Sequence, residues 1–494
     1  MNSLEKKHSI GIDLGSSSVK MTIINLINGE SIDTVTFPQK EMKIETPEKD
    51  WAEQDPELWW KSVKECFYFL KKRNDLTSVI SIGVSYQMHG LVAIDKDGNI
   101  LFPSIIWCDS RALKIGDDAN KKLSKSLISD HLLNSPGNFT ASKLKWVMEN
   151  NINAYSSIYK FMLPGDYVLY KLTGELSTTK TGLSEGVLWD FENEKICEEL
   201  INFYGIDGNK VPNVVDSFGD QGKLLKDNIN DFGLSESVVV SYRCGDQPNN
   251  AFSLNVLDPG EIAATAGTSA VIYCVSDKKI YDKNNRVNTF LHCNNTSLKK
   301  RNGILLCVNG SGIAYSWIRS VLGEISYSEM DKKAELIKNL DDLIFFPFGN
   351  GSERMFSNNS NIKSMFHGID FNRHNKYHLV KSVLEGVSFS LSYGIELLRD
   401  MGIEVNTVKV GNQNLFKSKI FRKTFVNVSK IKLMVYETDG SIGAARGAGI
   451  GVGYYKDEKD AFQNLECIDE LCPSLSPNLD ESYLNWKMVL NKLN

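Results

Sequence analysis

Residues 9–24 read SIGIDLGSSSVKMTII, and this stretch decides the fold that we predict for the chain. Alternating apolar residues predict two short β-strands, joined by a tight turn of Gly15, Ser16 and Ser17. Glycine lets backbone N–H groups approach a bulky anion, and hydroxyls donate hydrogen bonds to phosphate oxygens, so the turn is a candidate phosphate-binding loop. Asp13 would then lie within reach of a phosphate-bound Mg²⁺. The alternative is an ordinary hairpin with an incidental aspartate.

A second stretch repeats this pattern about one domain length later. Residues 261–274, EIAATAGTSAVIYC, again place a hydroxyl-rich glycine turn between two apolar strands. The residues of that turn are Gly267, Thr268 and Ser269. Thr265 stands where the first copy has Asp13, so only the first hairpin offers a carboxylate to a metal. The two hairpins indicate a duplicated fold with one phosphate-binding loop in each half.

This arrangement resembles the ribonuclease-H-like ATPase architecture shared by actin, heat-shock chaperones and sugar kinases. The resemblance implies an α/β fold of two actin/hexokinase-like lobes with ATP in a central cleft. The chain has 494 residues, more than one hydrophobic core usually supports. We therefore predict an N-terminal lobe over residues 1–256 with the substrate and the catalytic base. A C-terminal lobe over residues 257–494 would bind the nucleotide and carry a tail.

Composition limits the partners and the location. A formal net charge of −5 disfavours nucleic acid and anionic membranes as main partners, because both attract basic surfaces. The N-terminus has no signal-peptide core, and no apolar run approaches the roughly 18 residues that span a bilayer, so we expect a cytoplasmic protein. The nine scattered cysteines predict buried free thiols, among them Cys274 and Cys307. A homodimer is the default expectation for the assembly.

Polar side chains follow the apolar run VISIGVS at residues 79–85, which is typical of a buried parallel strand. Gln87, Met88 and His89 come directly after it, at the edge where ligands bind to open sheets. Together they could hydrogen-bond a polyol and pack against its carbon chain. A histidine satisfied by neighbouring backbone groups is the alternative.

Two further clusters carry charged side chains. The segment WCDSR, residues 107–111, contains Asp109 and Arg111, which could bind sugar hydroxyls or form a surface ion pair at a helix start. Lys143 lies on a predicted helix; we expect it to be solvated, although a place at the rim of an active site is also open.

Asp246 follows another predicted strand, residues 238–242, in the sequence CGDQPNNA. Pro248 favours a helix start here, so Asp246 or Gln247 could simply cap that helix. A carboxylate at the end of a strand, one strand before the second hairpin, is also where an acceptor hydroxyl would meet a γ-phosphate.

The segments QMHG and WxDxR resemble the FGGY carbohydrate kinases, and QMHG is most similar to their xylulokinase members. The resemblance extends over about residues 8–455 and implies that Asp246 is the catalytic base and that Asp13 holds Mg²⁺ through water. The substrate-binding residues that it implies are Gln87, Met88, His89, Asp109, Arg111, Gln247 and Asn250. The ATP-binding residues that it implies are Gly15, Ser16, Ser17, Lys20, Gly267, Thr268, Ser269, Gly310, Gly411, Asn412 and Phe416.

The second half of the chain departs from the family in one place. Most members carry a Gly-Gly-Gly-Ala-like run where adenine lies against the backbone, whereas residues 411–418 read GNQNLFKS and keep only the first glycine. This leaves the adenine contacts open. The chain has no Walker A lysine loop and no G-x-G-x-x-G spacing, so the paired hairpins must hold the nucleotide.

Four segments of the second half have predicted structural roles. Residues 309–312 open a helix whose N-terminus could face phosphates. Residues 349–354 resemble a Gly-Glu-Arg turn of the family. Residues 439–453, DGSIGAARGAGIGVG, predict a helix that closes the C-terminal lobe and packs its glycines against the sheet. A last helix, residues 483–493, is expected on the outer surface.

These features together predict ATP-dependent phosphorylation of a ketose, first of all D-xylulose, with ATP and Mg²⁺. One alternative is a kinase for another sugar or polyol, such as L-ribulose, gluconate, L-fuculose or glycerol. A second, from another class, is a non-catalytic binding protein that a nucleotide switches. Such a switch would not need the polar clusters around residues 87–89, 109–111 and 246–250.

Overall fold

The computed structural model describes residues 7–323, 325–349, 354–356 and 362–493. They form two compact units. Unit 1 comprises Met1–Asn255, Phe290–Asn302 and Thr438–Leu465, and unit 2 comprises Val256–Thr289, Gly303–Glu437 and Glu466–Asn494. The first change of unit, after residue 255, lies next to the predicted lobe boundary. Residues 290–302 and 438–465 of the predicted C-terminal lobe, however, belong to unit 1.

Unit 1 is built on a five-stranded sheet. In spatial order its strands are Val239–Gly245, Val79–Tyr86, His8–Leu14, Val19–Asn25 and Ser31–Phe37. The first three run parallel, and the last two are added antiparallel. The hairpin predicted at residues 9–24 is therefore confirmed. Its apolar residues Ile10 and Ile12 are fully buried in the core of the unit.

The helix Gly440–Gly451, which we call the glycine-rich helix, packs on this sheet. A Cβ atom at Gly451 would lie 1.8 Å from the carbonyl oxygen of Ser241, so helix and strand backbones touch there. The predicted packing role of the helix glycines is thus confirmed. The predicted placement is wrong, because the helix belongs to unit 1 and does not close the C-terminal lobe.

The contact between the strand His8–Leu14 and this helix predicts that one added methyl group lowers the stability of the protein. A Cβ atom at Gly11 would lie 1.8 Å from the carbonyl oxygen of Ser441, and packed backbone cannot move aside. Overpacking costs about 1–3 kcal/mol, so Gly11→Ala should lower the midpoint of thermal unfolding by roughly 2–5 °C for a unit of this size. The matched control is Gly208→Ala, whose Cβ meets nothing within 4 Å and should leave the midpoint unchanged. Equal midpoints for the two variants would contradict the close packing.

The helix Pro56–Arg73 also packs on the sheet of unit 1. Asp55 caps it by accepting a hydrogen bond from the backbone N–H of Glu57 at 2.9 Å. Its buried apolar residues include Trp59, Trp60, Val63, Phe67 and Leu70. Leu58, at the start of the same helix, is 44% exposed because it points away from that face.

The remaining elements of unit 1 are short. Its other helices are Leu113–Lys122, Leu127–Leu132, Thr140–Asn150, Ile152–Ser157, Pro164–Thr173, Lys180–Glu185, Glu198–Tyr204, Gly208–Lys210, Lys226–Phe232, Asp246–Ser253 and Glu458–Phe462. Its other strands are Glu53–Gln54, Val92–Ile94, Ser104–Ile105, Lys160–Met162, Ser177–Thr179, Trp189–Asp190, Lys195–Ile196 and Asn213–Val215.

Unit 2 contains most of a seven-stranded sheet, whose strand ends overlap the unit boundaries by a residue or two. In spatial order the strands are Asn288–Leu291, Asn302–Val308, Ala270–Ser276, Glu261–Ala266, Thr407–Gly411, Lys432–Tyr436 and Cys467–Leu471. Glu261–Ala266 pairs antiparallel with Ala270–Ser276, so the second predicted hairpin is confirmed. Shorter strands are Ile344–Phe346 and Met365–His367.

Helices complete the core of unit 2. They are Gly312–Val321, Tyr327–Glu335, Arg354–Phe356, Lys376–Asp400, Asn414–Lys417, Lys419–Ser429 and Pro477–Leu493. The last helix starts six residues earlier than predicted. Its Trp486 is fully buried and donates a hydrogen bond from Nε1 to the carbonyl oxygen of Phe345 at 3.0 Å. The tail helix is therefore part of the core and not only an outer layer.

Three further expectations concern single features. In the described part of the chain, no helix is both long and apolar enough to cross a membrane. All nine cysteines are free thiols, five of them buried; Cys307 is only half-buried. Residues 350–353 of the predicted Gly-Glu-Arg turn lie outside the described residues.

Candidate active site

Asp13 lies near the end of the strand His8–Leu14, opposite Ser85 on one neighbouring strand and Lys20 on the other. A Cβ atom at Gly440 would lie 2.4 Å from Oδ2 of Asp13, so the carboxyl group lies against the first residue of the glycine-rich helix. Burial raises the pKa of Asp13 to about 6, and the nearby Asp439 acts in the same direction.

Lys20 forms an ion pair with Asp439, with 2.5 Å between Nζ and Oδ2. Asp439 also caps the glycine-rich helix by accepting hydrogen bonds from the backbone N–H groups of Ser441 and Ile442. Although burial opposes it, the Lys20 ammonium and these hydrogen bonds hold the pKa of Asp439 below its usual value. Lys20 therefore binds a carboxylate of its own unit, and its predicted contact with ATP stays a prediction.

The turn after Asp13 is held from both sides. The backbone N–H of Gly15 donates to the carbonyl oxygen of Ser18 at 3.0 Å, which closes the turn. Gln54 donates from Nε2 to the carbonyl oxygen of Ser16 at 2.7 Å. Ser17 is exposed at the tip. This geometry leaves a rigid turn with an accessible hydroxyl, as a phosphate-binding loop requires.

Asp246 is the first residue of the helix Asp246–Ser253, directly after the strand Val239–Gly245. Gly245 occupies the N-cap position, so the idea that Asp246 or Gln247 is the cap is wrong. Burial, with a smaller contribution from the charge of Asp13, raises the pKa of Asp246 to about 7. The predicted substrate neighbours Gln247 and Asn250 are partly exposed on the same helix.

Asp13 is the carboxylate of this region that suits a divalent cation. Its strand and the strand before Asp246 are parallel with one strand between them, so the two strand ends lie at the same sheet edge, roughly 10 Å apart by strand spacing. Within the described ranges, no three or more His, Cys, Asp or Glu side chains converge closely enough to hold a metal ion. A sparse carboxylate site fits Mg²⁺, because this ion keeps several waters and takes phosphate oxygens as ligands.

Met88 and His89 form a turn beside Asp246. A Cβ atom at Gly245 would lie 2.7 Å from Cγ of Met88, so the turn touches the residue that precedes Asp246. His89 has a φ angle of 62°, in the left-handed region that is uncommon for a residue with a side chain. Its Nδ1 lies 2.8 Å from the carbonyl oxygen of Glu185, which can only accept, so Nδ1 carries the proton.

The imidazole of His89 is also packed between aromatic rings. The ring centres of Phe139 and Phe290 lie 4.9 Å and 5.3 Å from that of His89. In the neutral ring Nε2 is then the acceptor, which suits a hydroxyl group. The alternative from the sequence, a histidine whose hydrogen bonds are satisfied by backbone groups, is therefore correct for Nδ1.

Gln87 supports this turn through hydrogen bonds of its side chain and its backbone. Its side chain is buried, and Nε2 donates to Oε1 of Gln54 at 3.2 Å. The backbone N–H of Gln87 donates to the carbonyl oxygen of Leu14, which ties the turn to the strand of Asp13. The contact with substrate that the resemblance implies for Gln87 remains a prediction.

Asp109 and Arg111 form a buried ion pair and not a surface one. Arg111 donates to Asp109 at 2.7–3.0 Å and to Glu53 at 2.7 Å. The guanidinium carbon lies 3.7 Å from the ring centre of Trp51 and 4.9 Å from that of Trp146. Asp109 also accepts from the backbone N–H of Ala52. These contacts anchor the loop before the helix Pro56–Arg73; direct contact with a sugar stays a prediction.

Lys143 is fully buried, so the expectation of a solvated lysine is wrong. It lies on the helix Thr140–Asn150 and donates from Nζ to the carbonyl oxygens of His89 at 2.9 Å and of Ile106 at 2.8 Å. Burial lowers its pKa to about 7, while Asp109 opposes that shift.

Sequence reasoning missed two residues of this region. Asn249 donates from Nδ2 to the carbonyl oxygen of Gly440 at 2.8 Å, which joins the helix of Asp246 to the glycine-rich helix beside Asp13. Glu185 is buried with its carboxyl group against Gly245. Glu185 lies three residues after a glycine in a Thr- and Ser-rich segment, and that pattern gave no signal for its contact. No motif marked the contact of Asn249 either.

Unit 2 contains a cavity of about 900 Å³ beside the second hairpin. Its lining includes Gly267 and Thr268 of the predicted phosphate turn. Other lining residues are Tyr315, Tyr327, Asp331, Lys332, Asn414, Lys417, Ser418 and Lys419. Such a cavity has the size and mixed polarity that a nucleotide needs. Most of these residues carried no motif, and only the segment 411–418 had drawn attention to this part of the chain.

Two of the predicted nucleotide-binding residues lie in packed surroundings, and their contact with ATP stays a prediction. Phe416 is buried and packs on Phe421 and Phe425 in the core, so its side chain does not line the cavity. A Cβ atom at Gly310 would lie 1.4 Å from the carbonyl oxygen of Pro347, which makes this glycine a packing position. The helix that it precedes starts at Gly312.

The backbone N–H groups at the start of that helix form hydrogen bonds within the protein. The backbone N–H groups of Gly312 and Ile313 donate to the carbonyl oxygens of Gly267 and Thr268 at 2.8 Å and 3.1 Å. These two amides hydrogen-bond to the predicted phosphate turn. Gly411 ends a strand, and Asn412 bonds to Glu437 through Nδ2 at 3.1 Å.

Comparisons with known proteins agree with this arrangement. Residues 8–253 match the FGGY family of carbohydrate kinases, N-terminal domain. The chain is 28% identical to a xylulose kinase of Bacillus subtilis over 93% of this chain and 91% of the relative. Among solved structures, a ligand-bound xylulose kinase from Lactobacillus acidophilus has a TM-score of 0.87, with 22% identity and coverage of 99% and 98%. A glycerol kinase from Plasmodium falciparum with ADP has a TM-score of 0.88, with 19% identity and the same coverage.

Because the sequence identities to these solved structures are low, the structures establish the fold alone. It is the actin/hexokinase-like α/β fold that the two hairpins predict. The family match covers the hairpin of Asp13, the turn of His89 and Asp246. Together with xylulose kinases that align over most of the sequence, these findings establish that the chain belongs to the FGGY family of carbohydrate kinases.

Proposed function

We propose that this carbohydrate kinase transfers the γ-phosphoryl group of ATP to a ketose, with D-xylulose as the preferred acceptor. The observation that carries the proposal is the contact between the residue before Asp246 and Met88, a 2.7 Å approach for a Cβ atom at Gly245. It sets a proton-accepting carboxylate beside a thioether and an imidazole, which suit the carbon chain and hydroxyls of a small sugar. The similarity to xylulose kinases supports the same acceptor.

Asp246 acts as the general base in this proposal. The acceptor hydroxyl oxygen attacks the γ-phosphorus, the bond to the β,γ-bridging oxygen breaks, and the hydroxyl proton passes to the Asp246 carboxylate. A pKa of about 7 suits a base that works near neutral pH. His89, with its proton on Nδ1, accepts a hydrogen bond from a second sugar hydroxyl at Nε2.

The remaining residues hold the nucleotide and its charge. Hydroxyls and amides of the turns at residues 15–17 and 267–269 donate to phosphate oxygens, and the unit 2 cavity takes the nucleoside. Asp13 would hold Mg²⁺ through a water molecule. When bound, the metal ion neutralises charge on the phosphates and orders them for in-line transfer. A cytoplasmic location and a homodimer remain predictions.

A panel of acceptors tests the proposal. Purified protein with ATP and Mg²⁺ is offered D-xylulose, L-ribulose, gluconate, L-fuculose or glycerol, and ADP release is followed in a coupled assay. We expect the highest kcat/KM for D-xylulose. A parallel preparation of Asp246→Asn shows whether a contaminating kinase contributes.

Each other result of the panel has a defined meaning. A higher kcat/KM for a different sugar would contradict the choice of D-xylulose and leave a sugar kinase. ATP turnover that no sugar stimulates would contradict the proposed acceptor reaction and favour a nucleotide-switched binding protein.

A further inference from the structure

Lys143 is a buried charged group near the turn of Met88 and His89, which we call the acceptor turn, and the mechanism above does not use it. The side chain has no exposed surface, yet its helix, Thr140–Asn150, lies far from the turn in sequence. Burying an ammonium group without partners would cost several kcal/mol, so its hydrogen bonds must offset that cost. They go to two carbonyl oxygens, those of His89 and Ile106, at 2.9 Å and 2.8 Å.

These two acceptors belong to the two segments that carry the predicted sugar contacts. His89 is part of the acceptor turn, and Ile106 lies just before the segment with Asp109 and Arg111. One Nζ atom therefore joins both segments to the helix Thr140–Asn150. Because an amine keeps two N–H donors even when neutral, these bonds persist whichever protonation state Lys143 adopts.

The His89 turn needs such support because its backbone is strained. A left-handed residue with a side chain costs about 1 kcal/mol or more and persists only where its surroundings hold it. The imidazole is held by the Glu185 carbonyl and by Phe139 and Phe290. Lys143 holds the main chain of the same residue, at its carbonyl oxygen.

We propose that Lys143 is a positioning residue for the acceptor sugar, which fixes the left-handed His89 turn so that the imidazole meets the substrate. This inference rests on the proposed function, since it assumes that a sugar binds at His89. Lys143 does not touch the substrate itself, because it is fully buried. Its loss should therefore weaken acceptor binding more than it slows the chemical step.

The test replaces Lys143 by methionine, which keeps most of the volume and removes the N–H donors. We expect the KM for D-xylulose to rise by about tenfold or more, the usual scale for losing hydrogen bonds that hold a binding group. The dissociation constant for ATP, measured by calorimetry without sugar, should stay within twofold, because the nucleotide cavity lies in unit 2. The decrease in kcat should be smaller than the increase in KM.

The matched control is Lys145→Met on the same helix. Lys145 is partly exposed and pairs with Glu149 within that helix, so this change should leave the sugar KM at the wild-type value. An unchanged sugar KM in Lys143→Met would overturn the proposal. A parallel loss of ATP affinity would also overturn it, because that result indicates a general structural defect.

Two further arms keep the result unambiguous. If Lys143→Met does not unfold cooperatively on heating, Lys143→Gln carries the same test, with the same increase in sugar KM supporting the proposal and an unchanged KM overturning it. The wild-type protein in the acceptor panel decides the proposed function separately. If wild type phosphorylates D-xylulose and both variants do so with wild-type KM, only the role of Lys143 fails.

Discussion

Asp246→Asn is expected to lower the turnover of D-xylulose by on the order of a hundredfold or more, the usual scale for losing a general base. The amide keeps the size and the place of the carboxylate at the start of the helix Asp246–Ser253 but cannot accept the hydroxyl proton. The KM for ATP should stay within a few-fold, because the cavity proposed for the nucleotide lies in unit 2. Steady-state kinetics at pH 8 measure both quantities.

The thermal stability of Asp246→Asn separates a loss of turnover caused by the missing carboxylate from one caused by a damaged fold. The pKa of Asp246 is raised from 3.8 to about 7, so folding opposes its ionisation, and wild type should lose stability as pH rises through this interval. Asparagine does not ionise, so in Mg²⁺-free buffer the variant should melt no lower than wild type at pH 8, and their midpoints should converge near pH 4. Asp231→Asn, at an exposed position of unit 1, is the activity control. Near-normal turnover of Asp246→Asn would rule out the assigned role.

Asp13→Asn should have the second largest effect, a loss of turnover by about a hundredfold at saturating ATP. The carboxylate lies at the sheet edge beside the turn of residues 15–17, where it is proposed to hold Mg²⁺ through water. The variant should also need a higher Mg²⁺ concentration for half-maximal activity. A titration with Mg²⁺ at fixed ATP measures this directly.

Two explanations of such a loss can be separated. The Asp13 charge raises the pKa of Asp246, so removing it should lower that pKa and keep the base ionised at pH 8, and a large loss of turnover there does not come from a protonated base. A loss at that pH therefore reports on the metal and the phosphates. Asp117→Asn, exposed on the helix Leu113–Lys122, should keep wild-type turnover and metal requirement. An unchanged Mg²⁺ requirement in Asp13→Asn would contradict its assignment to the metal.

Local patterns were enough to predict the elements that carry these two acids. Period-two apolar alternation and glycine turns predicted both hairpins, since strand pairing across a short turn depends on residues close in sequence. The position of Asp246 after an apolar strand predicted its place at the sheet edge. The resemblance assigned Phe416 to ATP, but local pattern did not reveal that its side chain packs in the core, because a residue in a short turn can point to the core or to a cavity with no change in that pattern.

Burial of polar side chains depended on distant partners. Lys143 reads as a solvated helix residue because helical periodicity does not reveal that carbonyl oxygens 54 and 37 positions away accept its hydrogen bonds. An ion pair of Asp109 and Arg111 was one of two alternatives from the sequence, but the burial of Arg111 against Trp51 and Trp146 was not foreseen. In both cases the packing of separate segments decides what the side chain does.

The amino-acid sequence by itself determined the two hairpins, the acids at strand ends and the family resemblance, because these features depend on neighbouring residues and short motifs. Only the tertiary structure decided that the glycine-rich helix belongs to unit 1, where Asp439 pairs with Lys20 across 419 positions of sequence. The physical reason is that close contact of helix and strand backbones is a property of two surfaces, and neither segment specifies its partner alone.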